Sequence, residues 1–464
     1  MGNFAEWATF AWVDNALVDN RLAYLDQVPL LGLRALGYVT LIQATWIYDG
    51  AVDIEGLRRF QRNLGDGLLG RRIERSPLPF ARDRWVFDRG PKDPDHLDIA
   101  ATPRPRADVG GWIDERGNLT IDPEFGPAWH LGILPLEENG TAVSLVVSHG
   151  VSDAVGVCLA IADAAEGRRR DLGYPPPGAR TLTRAALEDA RGTILEIPAL
   201  ARALAATARF ARRQRQDLAP SIAAASPSPP AAGHDQPVVL PALSAYLDVA
   251  EWDARAGSLG GTSNSLLAGF ASRLGVRIGR VGDDGVVTLS FPVSERTEDD
   301  TRANALVRAR VRVDPAHVAH DLGEIRAKIK QALAEATENS AELLAPLPIA
   351  SITPKWVARK AASLAQGANE RPVVCSNLGD IGPAVNRPDG TDAAYLSMRL
   401  FESGITKSRL DVMGGQLNLG CGRVRGKIFI TVSGYPVGES NSKSELRELT
   451  LRTFAEFGLT AEID

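Results

Sequence analysis

The stretch "SLVVSHGVSDAVGV", residues 144–157, ends an apolar run in a single histidine, and an aspartate follows four positions later. An imidazole with an ordinary pKa near ~6.5 is largely neutral at neutral pH and able to take a proton, so His149 is a candidate general base. Were His149 and Asp153 on one helix, they would form an i, i+4 surface pair worth only about 0.2–0.5 kcal/mol. The helical spacing of Val155, Leu159 and Ala162 begins after the histidine, however, with Ser152 or Asp153 placed as the cap. The segment therefore reads as strand, sharp loop and helix. At the end of such a strand His149 stands where open α/β sheets place their ligand crevices, although a polar residue finishing a strand fits equally well.

Other nucleophile and phosphate chemistries find no support. No candidate serine sits in a Gly-x-Ser-x-Gly elbow, and "GDGLLGRR" lacks the Lys-Ser/Thr ending of a phosphate loop. The histidines show no spacing with acidic or sulfur ligands, so no metal is expected. Cys158, Cys375 and Cys421 are odd in number and far apart, which suggests neither a disulfide framework nor a zinc cluster and fits a reducing cytoplasm. Cys375 reads as a small buried hydrophobe.

The elements that must position these residues alternate along the chain. "YVTLIQATWIYDG" reads as a strand and "VDIEGLRRFQRNLGDGLLG" as a helix opening near Asp53. "GPAWHLGILPLEENGTAVSLVVSHG" reads as a hairpin turning at Glu137 to Gly140. Later come a helix in "SNSLLAGFASRLGVRIGRV", strands in "GVVTLSFPVSER" and "NALVRARVRVD", a long amphipathic helix in "HDLGEIRAKIKQALAEATENS", and a final helix in "SKSELRELTLRTFAEFG". Between the halves, residues 182–215 suggest helical segments broken near Pro198, with Leu187, Ile194, Leu200 and Leu204 able to line one side. Their basic end reads as a solvated helix face, or as a peripheral contact with anionic lipid. Pro, Ala and Ser then dominate with no apolar period. This divides the chain into an N-terminal lobe, 1–215, a linker, 216–241, and a C-terminal lobe, 242–464. An α/β (α+β) class with two comparable lobes follows from pattern alone.

The composition agrees with a soluble protein that has ample material for a core: 464 residues, 44% hydrophobic and 23% charged. With 52 Lys and Arg against 57 Asp and Glu, the net charge of -5 offers no basic field for nucleic acid. Glu6 and Asp14 interrupt what a secretory signal would keep apolar, and Arg34 and Gln43 interrupt the most apolar early stretch, so neither export nor a membrane span is expected.

"SHGVSDAVG" resembles the HHxxxDG motif of the chloramphenicol acetyltransferase-like superfamily, which includes CoA-dependent acyltransferases and nonribosomal-peptide condensation domains; Ser148 stands for the first His and Ala154 for the Gly. "GPAWHLGILPL", "GTSNSLLAGFASRL", "FPVSERTEDDTRANALV" and "VVCSNLGDIGP" resemble further segments of that superfamily in the same order. The nearest flavours are bacterial wax ester synthase/diacylglycerol acyltransferase and polyketide-associated acyltransferases. The resemblance implies a two-lobed sandwich with a tunnel between lobes and His149 inside it. It also implies acyl transfer from a CoA or phosphopantetheinyl carrier thioester to an alcohol or amine, with no permanently bound cofactor and with a carrier protein as a further partner.

On that basis His149 is the base, and Asp153 is structural, either capping its helix or paired with Arg296; an Arg296 that merely exits its strand into solvent is the competing expectation. Ser376 and Asn377, beside a turn-permitting Gly379, are the candidate substrate contacts or simply turn residues. Two further readings accompany the leading one: a free-standing condensation enzyme with carrier-bound substrates, and a binding module altered by Ala154 at a position where glycine permits unusual backbone geometry.

Overall fold

The computed structural model describes residues 19–93, 95–218, 236–366, 371–438 and 441–464. Among the described residues fourteen strands are formed: β1 (Val39–Tyr48), β2 (Arg71–Glu74), β3 (Arg84–Phe87), β4 (Asp98–Ile99), β5 (Trp129–Pro135), β6 (Thr141–Ser148), β7 (Ala242–Asp248), β8 (Val287–Ser294), β9 (Leu306–Val313), β10 (Val373–Asp380), β11 (Tyr395–Ser403), β12 (Gln416–Val424), β13 (Lys427–Tyr435) and β14 (Glu462–Ile463). One sheet has the order β11-β1-β6-β5-β4, a second the order β14-β7-β13-β12-β10-β8-β9, and β2 and β3 form a separate ribbon. The helices used below are α1 (Tyr24–Leu36), α2 (Ile54–Gly65), α3 (Val109–Gly117), α4 (Ala154–Ala165), α5 (Leu182–Leu218), α6 (Val249–Ser258) and α7 (Ser263–Arg277).

Burial patterns explain the strands. Every residue of β6 is buried, and its mostly apolar sequence, interrupted by Thr141, Ser144 and Ser148, suits a strand covered on both faces. In β9 the burial alternates, apolar residues in and Arg308, Arg310 and Arg312 out, which suits a strand at the edge of its sheet. One apolar core packs under the seven-stranded sheet and gathers Leu266, Phe270 and Phe454; another, with Trp46, Phe60 and Trp129, packs under the five-stranded sheet.

The sheets do not follow the order of the chain. β11, from the second half, pairs antiparallel with β1 from Val39↔Ser403 to Ile47↔Tyr395 and so completes the first sheet. Ala303 and Phe429 likewise join the core under the five-stranded sheet. Residues 219–235 of the expected linker lie outside the described residues, and Leu240 is already buried beside Ile405 and Tyr435.

Helix α5 departs from expectation twice. It runs through Pro198 without a break. The hydrogen bond that proline cannot make would go to the carbonyl of Ile194, a residue more than half exposed, where solvent is at hand and the missing bond costs least. Nor is the helix anchored by its leucines: Leu187, Ile194 and Leu204 are all more than half exposed. Its acidic inner side holds it instead. Asp189 accepts hydrogen bonds from Ser76 (2.7 Å), Arg84 (2.8 Å) and Arg180 (2.9 Å), and Glu196 from Arg82 (2.6 Å) and Arg21 (3.1 Å). No helix among the described residues is long and apolar enough to cross a membrane.

Candidate functional site

His149 follows β6 directly, and its backbone is fixed from both halves of the chain. Its N–H donates to the carbonyl of Thr40 in β1 (2.9 Å), and its own carbonyl accepts from the Asn304 side chain just before β9 (3.3 Å). The turn after it is tied down at each step. Ser148 Oγ accepts from Gly150 N–H (3.2 Å), and the Arg71 guanidinium donates to the Val151 carbonyl (2.7 and 3.2 Å) and also to that of Thr301. The hydroxyl of Ser148 thus does local work at the motif position where the resembled superfamily has a histidine.

Asp153 ends the turn as the cap of α4, accepting from Gly156 N–H at 2.7 Å. Its carboxylate also accepts from Arg296 Nε (3.2 Å), Arg296 Nη2 (2.9 Å) and the Ala305 N–H (2.9 Å). Four donors saturate both oxygens, so Asp153 has no lone pair in a position to do proton chemistry. Arg296 is committed as fully, with carbonyls of Asp300 (3.0 Å) and Ala303 (2.9 Å) taking its remaining edge. Both side chains are almost fully buried, and their pairing joins the two halves beside His149. A Cβ on Gly156 would lie 2.5 Å from Ser152 Oγ and 3.2 Å from the Arg296 guanidinium carbon, so this glycine is what lets the ion pair close over the helix.

Ala154 is the first residue of α4 and is absent from the residues with positive φ. Its backbone is therefore one that any L-residue adopts, and the left-handed geometry that would have required glycine does not arise.

Burial lowers the pKa of His149, opposed by its own carbonyl, by Asp153 and by Asn304, and assisted by Arg308. The imidazole is accordingly neutral at pH 7. Its Nδ1 is buried without a hydrogen-bond partner, yet the residue as a whole keeps accessible surface. A neutral, half-buried imidazole at the meeting of two sheets can accept a proton from a substrate that reaches it.

Sequence reasoning assigned no role to three residues that build this site. Asp26 in α1 is fully buried and accepts from Asn304 N–H (2.7 Å), Asn304 Nδ2 (3.2 Å) and Ala303 N–H (3.2 Å). Asn304 carries that anchorage to the His149 carbonyl, while Arg71 lies buried within the field of Asp26. The sequence offers no distinguishing signal for Asp26, because an acidic residue in the first turn of a helix that also holds Gln27 and Arg34 is an ordinary pattern.

Ser376 and Asn377 stand apart from this cluster; no hydrogen bond among the described residues joins them to it. Both lie in β10, which pairs in parallel with β12 and shifts register between Asn377 and Asp380, where Gly379 has φ +66°. Asn377 Nδ2 donates to Asn264 in the first turn of α7, and its Oδ1 accepts from Gly379 N–H (2.9 Å). Its side chain shapes the bulge. Ser376 is half-buried. Cys375 and Cys421 are buried with thiol pKa values pushed up by burial, and burial raises that of Cys158 to about 12, so none is poised as a thiolate. Among the described residues no group of three His, Cys, Asp or Glu could hold a metal ion.

No family model matches the sequence, and no curated relative does. Solved structures do. The first condensation domain of the calcium-dependent antibiotic synthetase, in complex with a substrate analogue, is similar over 94% of this chain and 96% of its own, with a TM-score of 0.59 at 15% identity. The polyketide synthase associated protein 5 from Mycobacterium tuberculosis is similar over 95% of this chain and 98% of its own, with a TM-score of 0.51 at 15% identity. The starter condensation domain of rhizomide synthetase gives a TM-score of 0.52 at 12% identity, over 95% of this chain and 94% of that one. The chain has their two-lobed fold.

Proposed function

We propose that the protein is a condensation-type acyltransferase, moving an acyl group from a thioester to a hydroxyl or amine with His149 as general base. The observation that carries this reading is the neutral, half-buried imidazole of His149, its backbone fixed by Thr40 and Asn304 from opposite halves. As the acceptor attacks the thioester carbonyl, its proton passes to the imidazole. The tetrahedral intermediate then collapses, the C–S bond breaks, and the imidazolium returns the proton to the departing thiolate. No covalent enzyme intermediate is needed, because a thioester is already an activated electrophile. Asp153 and Arg296 act in this scheme as positioning residues, and Ser376 and Asn377 as the substrate contacts from the second half.

The donor is a CoA thioester or a phosphopantetheinyl carrier thioester. The solved condensation domains of similar fold favour testing the carrier form beside the CoA form. The experiment is a panel of radiolabelled acyl donors of both kinds, offered with alcohol and amine acceptors to the protein and to His149→Ala. His149-dependent product with an acyl-CoA supports CoA-dependent transfer, and turnover only with carrier-bound donors supports a free-standing condensation enzyme. A panel in which product is absent, or forms equally with the variant, overturns the assignment of His149.

A further inference from the structure

Burying a guanidinium is unfavourable unless an anion faces it. Two arginines among the described residues are buried as whole residues, Arg71 and Arg280, and they differ in this respect. Arg71 has Asp26 as a counter-charge. Arg280, only 5% exposed, forms no ion pair with any described carboxylate. Its Nη1 donates to the carbonyls of Gly414 (3.0 Å) and Gly415, its Nη2 donates to that of Pro372 (3.0 Å), and its Nε is buried without a partner. Three carbonyl dipoles orient the group and leave its charge uncompensated. The charged neighbour that acts on it is a second cation, Arg371; burial and that repulsion together bring its pKa down to about 10.

Arg280 and Arg371 face a groove of about 320 Å3, with Arg312 and Thr288 in its wall. Asp283 and Asp284 line it too, and Asp284 is paired with Arg312 and accepts from Val286 N–H (3.1 Å), so three guanidiniums stand against two carboxylates in the lining. The groove lies at the N-terminal ends of the parallel strands β8 and β10, whereas Arg296 and the His149 turn lie beyond the C-terminal end of β8. Eight residues of strand at roughly 3.3 Å each separate the two places by about 25 Å, so the groove is not part of the His149 site.

We propose that this groove binds a small multiply charged anion, a phosphate ester or a diphosphate, with Arg280 and Arg371 as the cations that hold it. Arg371 presents planar, paired donors that match phosphate oxygens, and the uncompensated charge of Arg280 behind it adds the attraction such an anion needs. The groove is large enough for a diphosphate and more polar than an acyl chain would favour.

The test is calorimetric titration of the full chain with inorganic pyrophosphate and, separately, inorganic phosphate, at ionic strength held constant with sodium chloride. Saturable one-site binding of pyrophosphate is expected, weakened at least tenfold in Arg371→Gln and unchanged in Arg425→Gln, an arginine at a different surface. Arg371 is exposed, so its variant leaves the carbonyl clamp around Arg280 in place and the fold intact. Absence of saturable binding, a response reproduced by chloride, or equal weakening in the two variants overturns the proposal.

Discussion

The turn at 149–153 and the bulge at 377–380 are the two segments expected to flank a reacting substrate, and they are held in different ways. The first is fixed from outside: Thr40 and Arg71 reach it from two segments of the first half, and Arg296 and Asn304 from the connection between β8 and β9 in the second. The second is held within its own sheet and the helix packed on it: Asn377 and Asp380 pair with Cys421 and Arg423 of β12, Asn264 of α7 accepts from Asn377 across 113 residues, and Gly379 donates back to Asn377. A group that must accept a proton tolerates little displacement, and the buried ion pair and guanidinium contacts around the first segment restrict it more than amide contacts restrict the second.

The largest effect should fall at His149. His149→Ala should lower kcat roughly 100- to 10,000-fold, the usual share of a general base, while leaving the melting temperature close to that of the parent. Because its pKa in the folded protein is lowered, the parent rate should hold through neutral pH and fall only below the ordinary histidine value of 6.5. The same depression makes the unfolded chain bind a proton more readily, so His149 withdraws stability as pH falls below that value. A rate already falling between pH 8 and pH 7 would contradict a neutral resting imidazole.

Asp153→Ala comes next, and its first effect should be on the fold. Removing one partner of an ion pair this buried leaves Arg296 uncompensated, at a cost of about 3–5 kcal/mol, measured by urea denaturation. Activity should fall with it as His149 shifts. Lost activity at unchanged stability would instead make Asp153 a participant in the chemistry.

Asn377→Ala should lie well below both, at about 1–2 kcal/mol of stability, because the loss is two uncharged side-chain hydrogen bonds, to Asn264 and from Gly379. Its effect should appear in KM more than in kcat. A loss of kcat matching that of His149→Ala would erase the contrast between the two segments and put Asn377 in the reacting centre.

Ala154→Gly should have the smallest effect. At the first position of α4 it should cost about 1 kcal/mol or less in helix stability and leave the rate unchanged, since the backbone there is already helical. A large gain in rate would show that the alanine methyl group obstructs substrate.

The order of elements and the strand, turn and helix around His149 were legible in the sequence. They depend on local physics: an apolar run long enough to be buried on both faces, a carboxylate one residue before a helix, and an apolar period of 3.6 thereafter. The same local physics placed Asp153 as a cap, where the carboxylate accepts from Gly156. It could not by itself choose Arg296, which the resemblance named, since the partner lies 143 residues away and only packing brings it near. Nor could it find Asp26 and Asn304, whose bond spans 278 residues and whose residue types are ordinary in isolation. Local pattern misjudged α5 because spacing reports which side chains share a face and not which face is turned inward. There Asp189 and Glu196 meet arginines from elsewhere in the chain, while Leu187 and Ile194 face out. Nor could it place β11, for a strand's own alternation carries no record of its partner, and pairing with β1 is decided by which edge the folded chain presents. What the sequence determined by itself was therefore each element and the residue at its end. The neutral histidine, the saturated aspartate and the uncompensated Arg280 exist only in the tertiary structure, because desolvation and counter-charge depend on everything around a group, most of it distant in the chain.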